Sequence, residues 1–441
     1  PNGWIGLQKS SANPSISDGN GNYTLEGAKY GIYKGDKLIQ TLTTDKNGYA
    51  KSKELEEGSY TVKEISAPAG FIVDATAHDV NVKPEETSTV KSSDIPQNNP
   101  ISLILQKLDL ETGEGKPQGN SSLANAEFTI KFYTELSDTD PAASGKKPVR
   151  TWVMKTNASG EMHFTKDYFV SGDEFYYASD KKTVCLPIGT VTIQETKAPK
   201  NYFLNETVFV QKITGSGSQE SVSIYNASNV EEQVYRGGVK VQKRDLETQD
   251  TVSQGNATLA GATFSITTLN EQPVWVNGKL YQKDEMCLTI ITDENGLAST
   301  EEKALPVGHY RIEETQAPTG YLKDGARTLE FEITKDGEMV DLTSKDTSIA
   351  NQVIRGGVKV QKRDIETGET KPQGNATLEG ATFTITNLST HPVLVNEKLY
   401  ESGQVVLTLK TDKSGAAATA KDALPYGHYR IDETEAPDGY L

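Results

Sequence analysis

The 441-residue chain is poor in cysteine, in histidine and in long apolar runs, and each shortage excludes a class of protein. Its two cysteines, Cys185 and Cys287, are too few for a disulfide framework or a cysteine-rich metal site, and we expect both to be buried thiols. The five histidines are scattered without ligand spacing, so we predict no metal and no cofactor. No stretch approaches about 18 consecutive apolar residues, which excludes a transmembrane helix.

Positive charge is also scarce. The 45 Lys and Arg residues are outnumbered by 61 Asp and Glu, and the formal net charge of -16 repels nucleic-acid phosphates and anionic lipid. We therefore expect no nucleic-acid partner and no membrane insertion. The sequence has no glycine-rich phosphate loop, nucleophile elbow or histidine-based catalytic set, so we do not expect an enzyme with turnover. Because the chain begins with Pro1 rather than Met, we expect it to be a segment of a longer protein.

The main feature that is present is a repeat. Residues 237–322 match residues 356–441 at a constant offset of 119, with 54 identities in 86 positions. Two weaker copies lie upstream, since each copy begins with a strand that ends in Lys and continues with a Leu-x-Gly-Ala-x-aromatic element. The second copy has Asn125 in place of the Gly, and Asn is the next-best residue for a left-handed turn. We therefore predict four domains: 1–98, 99–235 with insertions, 236–355, and 356–441.

Short runs of alternating apolar and polar residues fill the four copies, and helical periodicity is nearly absent. The runs are rich in Val, Ile, Thr and Tyr and are separated by turns such as residues 292–296, Thr-Asp-Glu-Asn-Gly. These turns favour hairpins over Ca²⁺ loops, because the rest of a calcium ligand pattern is missing. The predicted fold class is all-β, with tandem antiparallel β-sandwich domains joined by short connections.

Strand alternation predicts a lysine and a glutamate on the inner face of every copy. Side chains at i, i+2 and i+4 share a face, so Lys243 points inward with Val239 and Val241, and Glu314 with Ile312. The corresponding residues of the other copies are Lys9, Lys107 and Lys362, and Glu64, Glu195 and Glu433. A third polar residue has inward parity near the end of the first three copies: Asp94, Asn226 (which follows Ile224), and Asn351.

Two interpretations of this set stay open at this point. A buried lysine and a buried carboxylic acid are costly unless they are paired or neutralised, and the simpler interpretation is an ion pair or a lysine that extends its amine past the strand end. The other is covalent chemistry. Burial lowers the lysine pKa and raises the glutamate pKa, so a neutral amine attacks a nearby Asn or Asp side chain while the glutamic acid transfers protons. The product is an isopeptide bond, with ammonia lost from Asn or water lost from Asp.

The segment 310–321, Tyr-Arg-Ile-Glu-Glu-Thr-Gln-Ala-Pro-Thr-Gly-Tyr, resembles the E-box of SpaA-type pilins. With the Lys strand, the Leu-x-Gly-Ala-x-Phe element and the terminal Asn, it resembles collagen-adhesin B-type (Cna-B, prealbumin-like) domains over essentially the whole chain. The resemblance implies prealbumin-like or immunoglobulin-like sandwiches in a linear rod. It also implies a Lys–Asn or Lys–Asp isopeptide bond with a catalytic Glu.

Carried over residue by residue, the resemblance predicts three bonds: Lys243 to Asn351 with Glu314, Lys107 to Asn226 with Glu195, and Lys9 to Asp94 with Glu64. The first copy departs from the family pattern, because it has Asp instead of Asn and Ile65-Ser66 within its E-box. In the fourth copy Lys362 and Glu433 are present, but the counterpart of Asn351 would be position 470 (351 + 119), outside the 441 residues. No bond within that copy is predicted.

The function implied by the resemblance is the structural stalk of a surface adhesin or pilus-like protein of a Gram-positive bacterium. Such a stalk would be monomeric, extracellular and anchored to the cell wall outside this segment. The alternative is a module that binds a host extracellular protein or glycan through aromatic residues of the insertions. The candidates are Trp275 and Tyr281 in the third copy and Phe175, Tyr176 and Tyr177 in the second. The competing interpretation of these aromatics is that they cover the core of their own sandwich.

Overall fold

The computed structural model describes residues 1–223 and 225–441, and it confirms the predicted all-β fold class. The chain forms two compact units, residues 1–117 with 122–233, and residues 118–121 with 234–441. Regular structure in the described residues is strand, apart from one short α-helix, Pro14–Ser17, and two 3-10 helices, Pro141–Ser144 and Lys166–Tyr168. No helix in the described part of the chain is long and apolar enough to cross a membrane.

The first copy is a sandwich of two four-stranded sheets. Its strands are β1 (Asn2–Ser11), β2 (Lys29–Lys34), β3 (Lys37–Thr43), β4 (Tyr49–Lys51), β5 (Leu55–Glu56), β6 (Gly58–Ser66), β7 (His78–Val82) and β8 (Thr87–Asp94). One sheet joins β1 to β4, β5 and β8, and the other has the order β3-β2-β6-β7. Strand β8 runs parallel to β1, so the last strand of the copy lies beside the first. Ile5, Leu7, Tyr30 and Val62 are fully buried in this copy's core.

The second copy has the same plan with additional strands. They are β9 (Asn98–Pro100), β10 (Leu103–Asp109), β11 (Glu127–Tyr133), β12 (Arg150–Lys155), β13 (Glu161–His163), β14 (Phe169–Gly172), β15 (Tyr176–Tyr177), β16 (Val184–Pro187), β17 (Gly189–Lys197), β18 (Val208–Ile213) and β19 (Ser228–Glu232). The sheets have the orders β13-β10-β19, β14-β12-β11-β17-β18 and β15-β16-β9. Again the last strand, β19, is parallel to the Lys strand, β10. The core of this copy also includes Ile16, Tyr23 and Phe71 of the first copy.

The third copy repeats the arrangement. Its strands are β20 (Arg236–Asp245), β21 (Thr263–Thr268), β22 (Val274–Val276), β23 (Lys279–Tyr281), β24 (Met286–Ile291), β25 (Leu297–Ser299), β26 (Leu305–Pro306), β27 (Gly308–Gln316), β28 (Leu329–Ile333), β29 (Met339–Leu342) and β30 (Ile349–Asn351). Strand β20 pairs with β25 and β26 and, in parallel, with β29 and β30. The second sheet is β24-β21-β27-β28, and β22-β23 form a separate hairpin.

The fourth copy has the early strands of the third copy but not the late ones. Its strands are β31 (Arg355–Gly356), β32 (Lys359–Gln361), β33 (Thr382–Asn387), β34 (Val393–Val395), β35 (Lys398–Tyr400), β36 (Val405–Lys410), β37 (Ala416–Ala418), β38 (Leu424–Pro425) and β39 (Tyr429–Glu435). At the offset of 119, counterparts of β28, β29 and β30 would fall beyond residue 441. Within the described residues, strand β32, which ends just before Lys362, pairs only with β37.

A tight turn fixes the position of each Lys strand. Lys9 N donates a hydrogen bond of 2.8 Å to Gly48 O, and Lys243 N makes the same bond to Gly296 O at 2.7 Å. Gly48 has a φ of 74°, and a Cβ atom there would lie 2.5 Å from Lys9 O. Only glycine fits so close to the strand, which explains the Gly in the predicted turns. Asp293 Oδ1 accepts from the N–H groups of Asn295 and Leu297, so this aspartate closes a turn, as predicted.

Candidate functional site: buried lysine, glutamate and a third polar group

One strand register brings three polar side chains together in each of the first three copies. The residue two positions after the lysine pairs with the third polar residue on the parallel last strand. These pairs are Ser11 with Asp94, Asp109 with Glu232, and Asp245 with Asn351. Residues two apart on a strand share a face, so the third polar side chain lies on the face of the lysine.

In the third copy, Glu314 contacts both residues that were predicted to react. Its Oε1 lies 2.9 Å from Lys243 Nζ, and its Oε2 accepts a hydrogen bond of 2.6 Å from Asn351 Nδ2. Asn351 Nδ2 also donates to Leu322 O at 2.7 Å. The side chains of Lys243 and Glu314 are both 0% exposed. One buried carboxyl group therefore holds the amine and the amide, one on each oxygen.

In the first copy, Lys9 contacts both of its predicted partners directly. Lys9 Nζ lies 2.9 Å from Glu64 Oε1 and 2.5 Å from Asp94 Oδ2, with all three side chains fully buried. It also donates a hydrogen bond of 2.8 Å to Tyr30 OH. The other oxygen of Glu64 accepts from Asp74 N at 2.6 Å, which fixes the orientation of the carboxyl group.

In the second copy, the predicted partner Asn226 is wrong, and the structure places Glu232 there. Lys107 Nζ lies 2.9 Å from Glu195 Oε1 and contacts Glu232 Oε1, and all three side chains are buried. Asn226 is exposed, and its backbone N and O bond the side chain of Gln211. Ile224, used to judge the parity of Asn226, lies outside the described residues. The prediction assigned the inward face by alternation from Ile224, which precedes strand β19, and not from a residue of that strand.

A sequence signal for Glu232 does exist. The segment Gln233-Val234-Tyr235-Arg236-Gly237-Gly238 matches Gln352-Val353-Ile354-Arg355-Gly356-Gly357 at the offset of 119. The residue before each segment is Glu232 in the second copy and Asn351 in the third. When the ends of the two domains are aligned on this shared segment, Glu232 falls at the position of Asn351. The strand register confirms that position.

In the fourth copy, Lys362 and Glu433 form a pair without a third group. Lys362 Nζ lies 2.8 Å from Glu433 Oε2. Their side chains are 18% and 28% exposed, in contrast to the fully buried pairs of the other copies. Water can therefore solvate both charges, and the pair is an ordinary ion pair at a domain edge.

An aromatic ring forms one wall of each buried site, and it comes from the Leu-x-Gly-Ala-x-aromatic element. Lys9 Nζ lies 5.2 Å from the centroid of the Tyr30 ring, Lys107 Nζ lies 5.6 Å from that of Phe128, and Lys243 Nζ lies 5.7 Å from that of Phe264. The sequence identified this element as part of the repeat but not as part of the site. The rings shield the amine from bulk water at all three sites, and at the first site the Tyr30 hydroxyl also accepts a hydrogen bond from it.

Burial shifts the pKa values of Lys107, Glu195 and Lys243 in the direction that favours the neutral form of each group. It lowers the pKa of Lys243, and it lowers the pKa of Lys107 to about 8, in each case against the opposing attraction of the neighbouring glutamate. Burial also raises the pKa of Glu195. A neutral amine is the nucleophilic form of lysine, so these shifts favour the chemistry predicted from the sequence.

The first site differs from the other two in the direction of the lysine pKa shift. Burial disfavours the charged form of Lys9, but hydrogen bonds with Asp94, Tyr30 and Glu64 outweigh it, so the lysine pKa is raised. Burial and the adjacent Glu64 carboxyl group raise the pKa of Asp94 to about 7. A proton transfer from Lys9 to Asp94 converts the ion pair into a neutral amine and a neutral acid.

The aromatic insertion residues fall into two groups. Phe175 and Tyr176 are buried in the core of the second copy, and Tyr177 packs against that core. Tyr176 lies edge-on to Phe132, with ring centroids 5.6 Å apart. For these residues the structure supports the interpretation that they cover their own core. In the third copy, Trp275 and Tyr281 are half-buried in the hairpin of β22 and β23.

The cysteines and the metal prediction are simpler. Cys185 and Cys287 are both buried free thiols, as predicted, and burial raises the pKa of each, to about 12 for Cys287. Across the described residues, no group of three or more His, Cys, Asp or Glu side chains is arranged to hold a metal ion.

Comparison with known families decides what kind of domain carries this site. The family "SpaA: Prealbumin-like fold domain" matches residues 16–96, 116–228, 239–348 and 356–441, one region in each sequence copy. The chain belongs to this family. The four regions therefore confirm the resemblance on which the site prediction was based, and the copies are SpaA-type domains.

Individual similar proteins come from Gram-positive bacteria. The trypsin-resistant surface T6 protein of Streptococcus pyogenes serotype M6 is 40% identical over 70 residues, which are 16% of this chain and 13% of that protein. The solved structure of the Bacillus anthracis TIE protein is 23% identical, covers 80% of this chain and 51% of that one, and has a TM-score of 0.47. BcpA, the major pilin subunit of Bacillus cereus, is 16% identical, covers 80% of this chain and 100% of its own, and has a TM-score of 0.29. The chain thus spans a small part of the T6 protein and about half of the TIE structure.

Proposed function

We propose that the chain is part of the stalk of a Gram-positive surface adhesin or pilus-like protein, with domains locked by intramolecular isopeptide bonds. The observation that carries the proposal is the bridging of Lys243 and Asn351 by the two oxygens of the buried Glu314. An ion pair alone needs no amide on the second oxygen. A carboxyl group between an amine and a carboxamide is positioned to move a proton from one to the other.

The reaction in the third copy is balanced without any co-reactant. Neutral Lys243 Nζ attacks Cγ of Asn351, and Glu314 takes the proton that Nζ releases. The same carboxyl group delivers a proton to Nδ2, the Cγ–Nδ2 bond breaks, and ammonia leaves. In the first copy, Lys9 Nζ attacks Cγ of protonated Asp94 with Glu64 in the same role, and water leaves. Burial and fixed geometry lower the barrier, and each site reacts once.

The placement of the two proposed bonds suits a load-bearing role. Each joins the first strand of a domain to its last strand, which lies parallel beside it: β1 to β8 and β20 to β30. Tension that enters at the first strand would leave through a covalent bond to the last. The residues between the linked side chains would bear no load, and an amide, unlike a disulfide, resists reductants.

The connection between the third and fourth copies is also built for rigidity. Arg355 Nη1 binds both carboxylate oxygens of Glu247, at 2.8 and 2.9 Å. Leu394 N donates to Gln254 Oε1 at 2.8 Å, and Asn256 N donates to Tyr426 O at 3.0 Å. Bidentate pairing and backbone hydrogen bonds fix orientation as well as distance, which favours a stiff connection over a flexible linker.

The name of the Streptococcus pyogenes relative, a trypsin-resistant surface protein, fits a chain of this kind. Proteases cut proteins through transient opening, and a bond between the first and last strands restricts opening. We therefore propose that this chain lies outside the cell. It would be attached to the cell wall through the protein of which it forms a part.

Single-molecule stretching tests the proposal. A linked third copy cannot extend between Lys243 and Asn351, which are 108 residues apart (351 - 243). Lys243→Met should release roughly 370 Å of additional contour length at about 3.4 Å per residue. Lys362→Met, the matched change in the fourth copy, should release none. Full extension of the third copy in the unmodified chain would contradict the proposal.

Ligand binding by the aromatic insertions is the second candidate function. The half-buried Trp275 is the residue that favours ligand binding by the third copy. The fourth copy has a similar hairpin with Leu394 at the same position, so the Trp is a difference between two hairpins of the same shape. Trp275→Leu should then abolish binding to an array of host matrix proteins and glycans without changing the deficit of the intact mass relative to the sequence mass. Array binding that is unchanged by Trp275→Leu would count against this hairpin as a binding surface.

A further inference from the structure

The second SpaA-type domain has a carboxylic acid with a longer side chain where the first and third have Asp94 and Asn351. The register is unambiguous: Lys107 pairs with Val230, and Asp109 pairs with Glu232. The third domain has the same register: Lys243 pairs with Ile349, and Asp245, two residues further on, pairs with Asn351. Glu232 therefore occupies the position of the reacting group in this domain.

The surroundings of Glu232 are those of a reactant rather than of a solvated acid. Its side chain is 1% exposed, beside a fully buried Lys107, and Oε1 is in direct contact with Lys107 Nζ. Neither oxygen of Glu232 accepts a hydrogen bond from the described residues. A buried carboxylate without hydrogen-bond donors is costly, and an amide to Lys107 would remove both the negative and the positive charge from this apolar site.

The third member of the site is also in place. Glu195 Oε1 lies 2.9 Å from Lys107 Nζ, and its Oε2 is held by a hydrogen bond of 2.8 Å from Asn205 N. Asp74 N holds Glu64 in the same way in the first domain, ten residues after that glutamate. The proton-transfer group is thus oriented alike in the two domains, and the partner acid of the second domain is one methylene longer.

From this arrangement we infer that the second domain is locked by an amide between Lys107 Nζ and Cδ of Glu232, a Lys–Glu cross-link. The inference rests on the proposed function. Neutral Lys107 attacks Cδ of protonated Glu232, and Glu195 takes the proton released by Nζ. Glu195 returns a proton to the departing oxygen, the Cδ–Oε bond breaks, and one water leaves. No oxidant, reductant or cofactor is consumed.

The lowered pKa of Lys107, about 8, supports this step because it makes the neutral amine accessible near neutral pH. The two strands keep their parallel register from Leu105 to Asp109, so Glu232 lies on the same face as Lys107. A search of the sequence for Asn or Asp alone does not find this residue.

The test is peptide mapping by tandem mass spectrometry of the full 441-residue chain and four variants. The unmodified chain should give one branched peptide that joins Lys107 to Glu232 and is lighter by one water. Asn226→Ala should keep this peptide, whereas Glu232→Ala and Glu195→Ala should lose it. Glu232→Gln should give a cross-linked product of the same mass as the unmodified chain, because loss of ammonia from Gln creates the identical amide.

The outcomes separate this inference from the proposed function. A branched peptide joining Lys107 to Asn226, or no branched peptide from the second domain while Lys9–Asp94 and Lys243–Asn351 peptides are present, would overturn the inference alone. The absence of all three branched peptides would overturn both. Glu232→Gln keeps the volume and burial of the side chain, so it tests the chemistry even if Glu232→Ala disturbs folding.

Discussion

The third and fourth domains share most of their sequence and yet hold the same lysine and glutamate in different environments. Lys243 and Glu314 are fully buried, whereas Lys362 and Glu433 are 18% and 28% exposed at nearly the same separation. The ring beneath the lysine follows the same trend, since Phe264 is fully buried and Phe383 is half-buried. The residues of the pair are identical, so the environment is set by what covers them.

The covering elements in the third domain are β28, β29 and β30, which have no counterpart within the 441 residues of the fourth. Strands β29 and β30 pair in parallel with the Lys strand, and β30 carries Asn351. These strands therefore do two things at once. They exclude water from the amine, and they carry the group that it would attack in the proposed reaction. A lysine and a glutamate in contact are not sufficient for the proposed reaction.

The largest expected effect comes from removing the lysine of the closed site. Lys243→Met should restore the mass of one ammonia and lower the free energy of unfolding of the third domain by about 4–5 kcal/mol, the loop-closure contribution of a cross-link over this separation. Lys362→Met should change neither the mass deficit nor the stability of the fourth domain by more than about 1 kcal/mol. Intact-mass measurement and domain-resolved hydrogen exchange check both. Equal effects of the two substitutions would remove the distinction between the domains.

The second prediction concerns the addition of the late strands to the fourth domain. Leu441 corresponds to Leu322, so residues 323–355 appended after Leu441 supply the missing strands in register. We expect Lys362 and Glu433 to become buried, one further ammonia to be lost, and the fourth domain to gain about 5 kcal/mol. The matched control is the same extension with Asn351→Ala in the appended segment, which should fold without loss of ammonia. A well-folded extension that keeps its full mass would show that the strands are not sufficient.

A smaller effect is expected from Glu433→Gln. The pair with Lys362 is partly exposed, so its loss should cost no more than about 1 kcal/mol in denaturant unfolding of the fourth domain. Glu314→Gln should instead stop bond formation in the third domain and restore the mass of one ammonia. A large destabilisation by Glu433→Gln would mean that the open pair already contributes as a buried one does.

The smallest effect should come from residues that differ between the domains away from the site. Met286 is exposed, and the fourth domain has the exposed Val405 at this position. Met286→Val should change the stability of the third domain by no more than about 0.5 kcal/mol and leave the deficit relative to the sequence mass unchanged. A clearly larger change in thermal unfolding would show that sequence differences outside the site contribute to the contrast.

Much of the site could be predicted from strand parity, because the constraint is local. A side-chain period of two places Lys9, Lys107 and Lys243 on the core face once the neighbouring apolar residues are known. The residues opposite them on β6, β17 and β27 follow from the same rule. The structure brings together Lys9, Glu64 and Asp94, and likewise Lys243, Glu314 and Asn351.

Parity could not predict which residue ends the last strand of the second domain. The stretch from Glu195 to Glu232 is as long as that from Glu314 to Asn351, 37 residues in each domain (232 - 195 and 351 - 314), but parity counted from Ile224 selected Asn226 instead. Register across parallel strands is a non-local property, and a shift by an even number of residues, such as the six from Asn226 to Glu232, leaves the alternation pattern intact. The burial of Phe175 and Tyr176 is non-local in the same way, because sequence alone does not show which core an insertion covers.

The central claim is that buried lysines in the first three domains have reacted with the groups that the last strand supplies. High-resolution intact mass of the purified 441-residue chain tests it most directly. The account predicts a mass below the sequence mass by one ammonia from Asn351 and two waters, one from Asp94 and one from Glu232. A mass equal to that of the full sequence would contradict it, and would leave each buried lysine as one member of an ion pair.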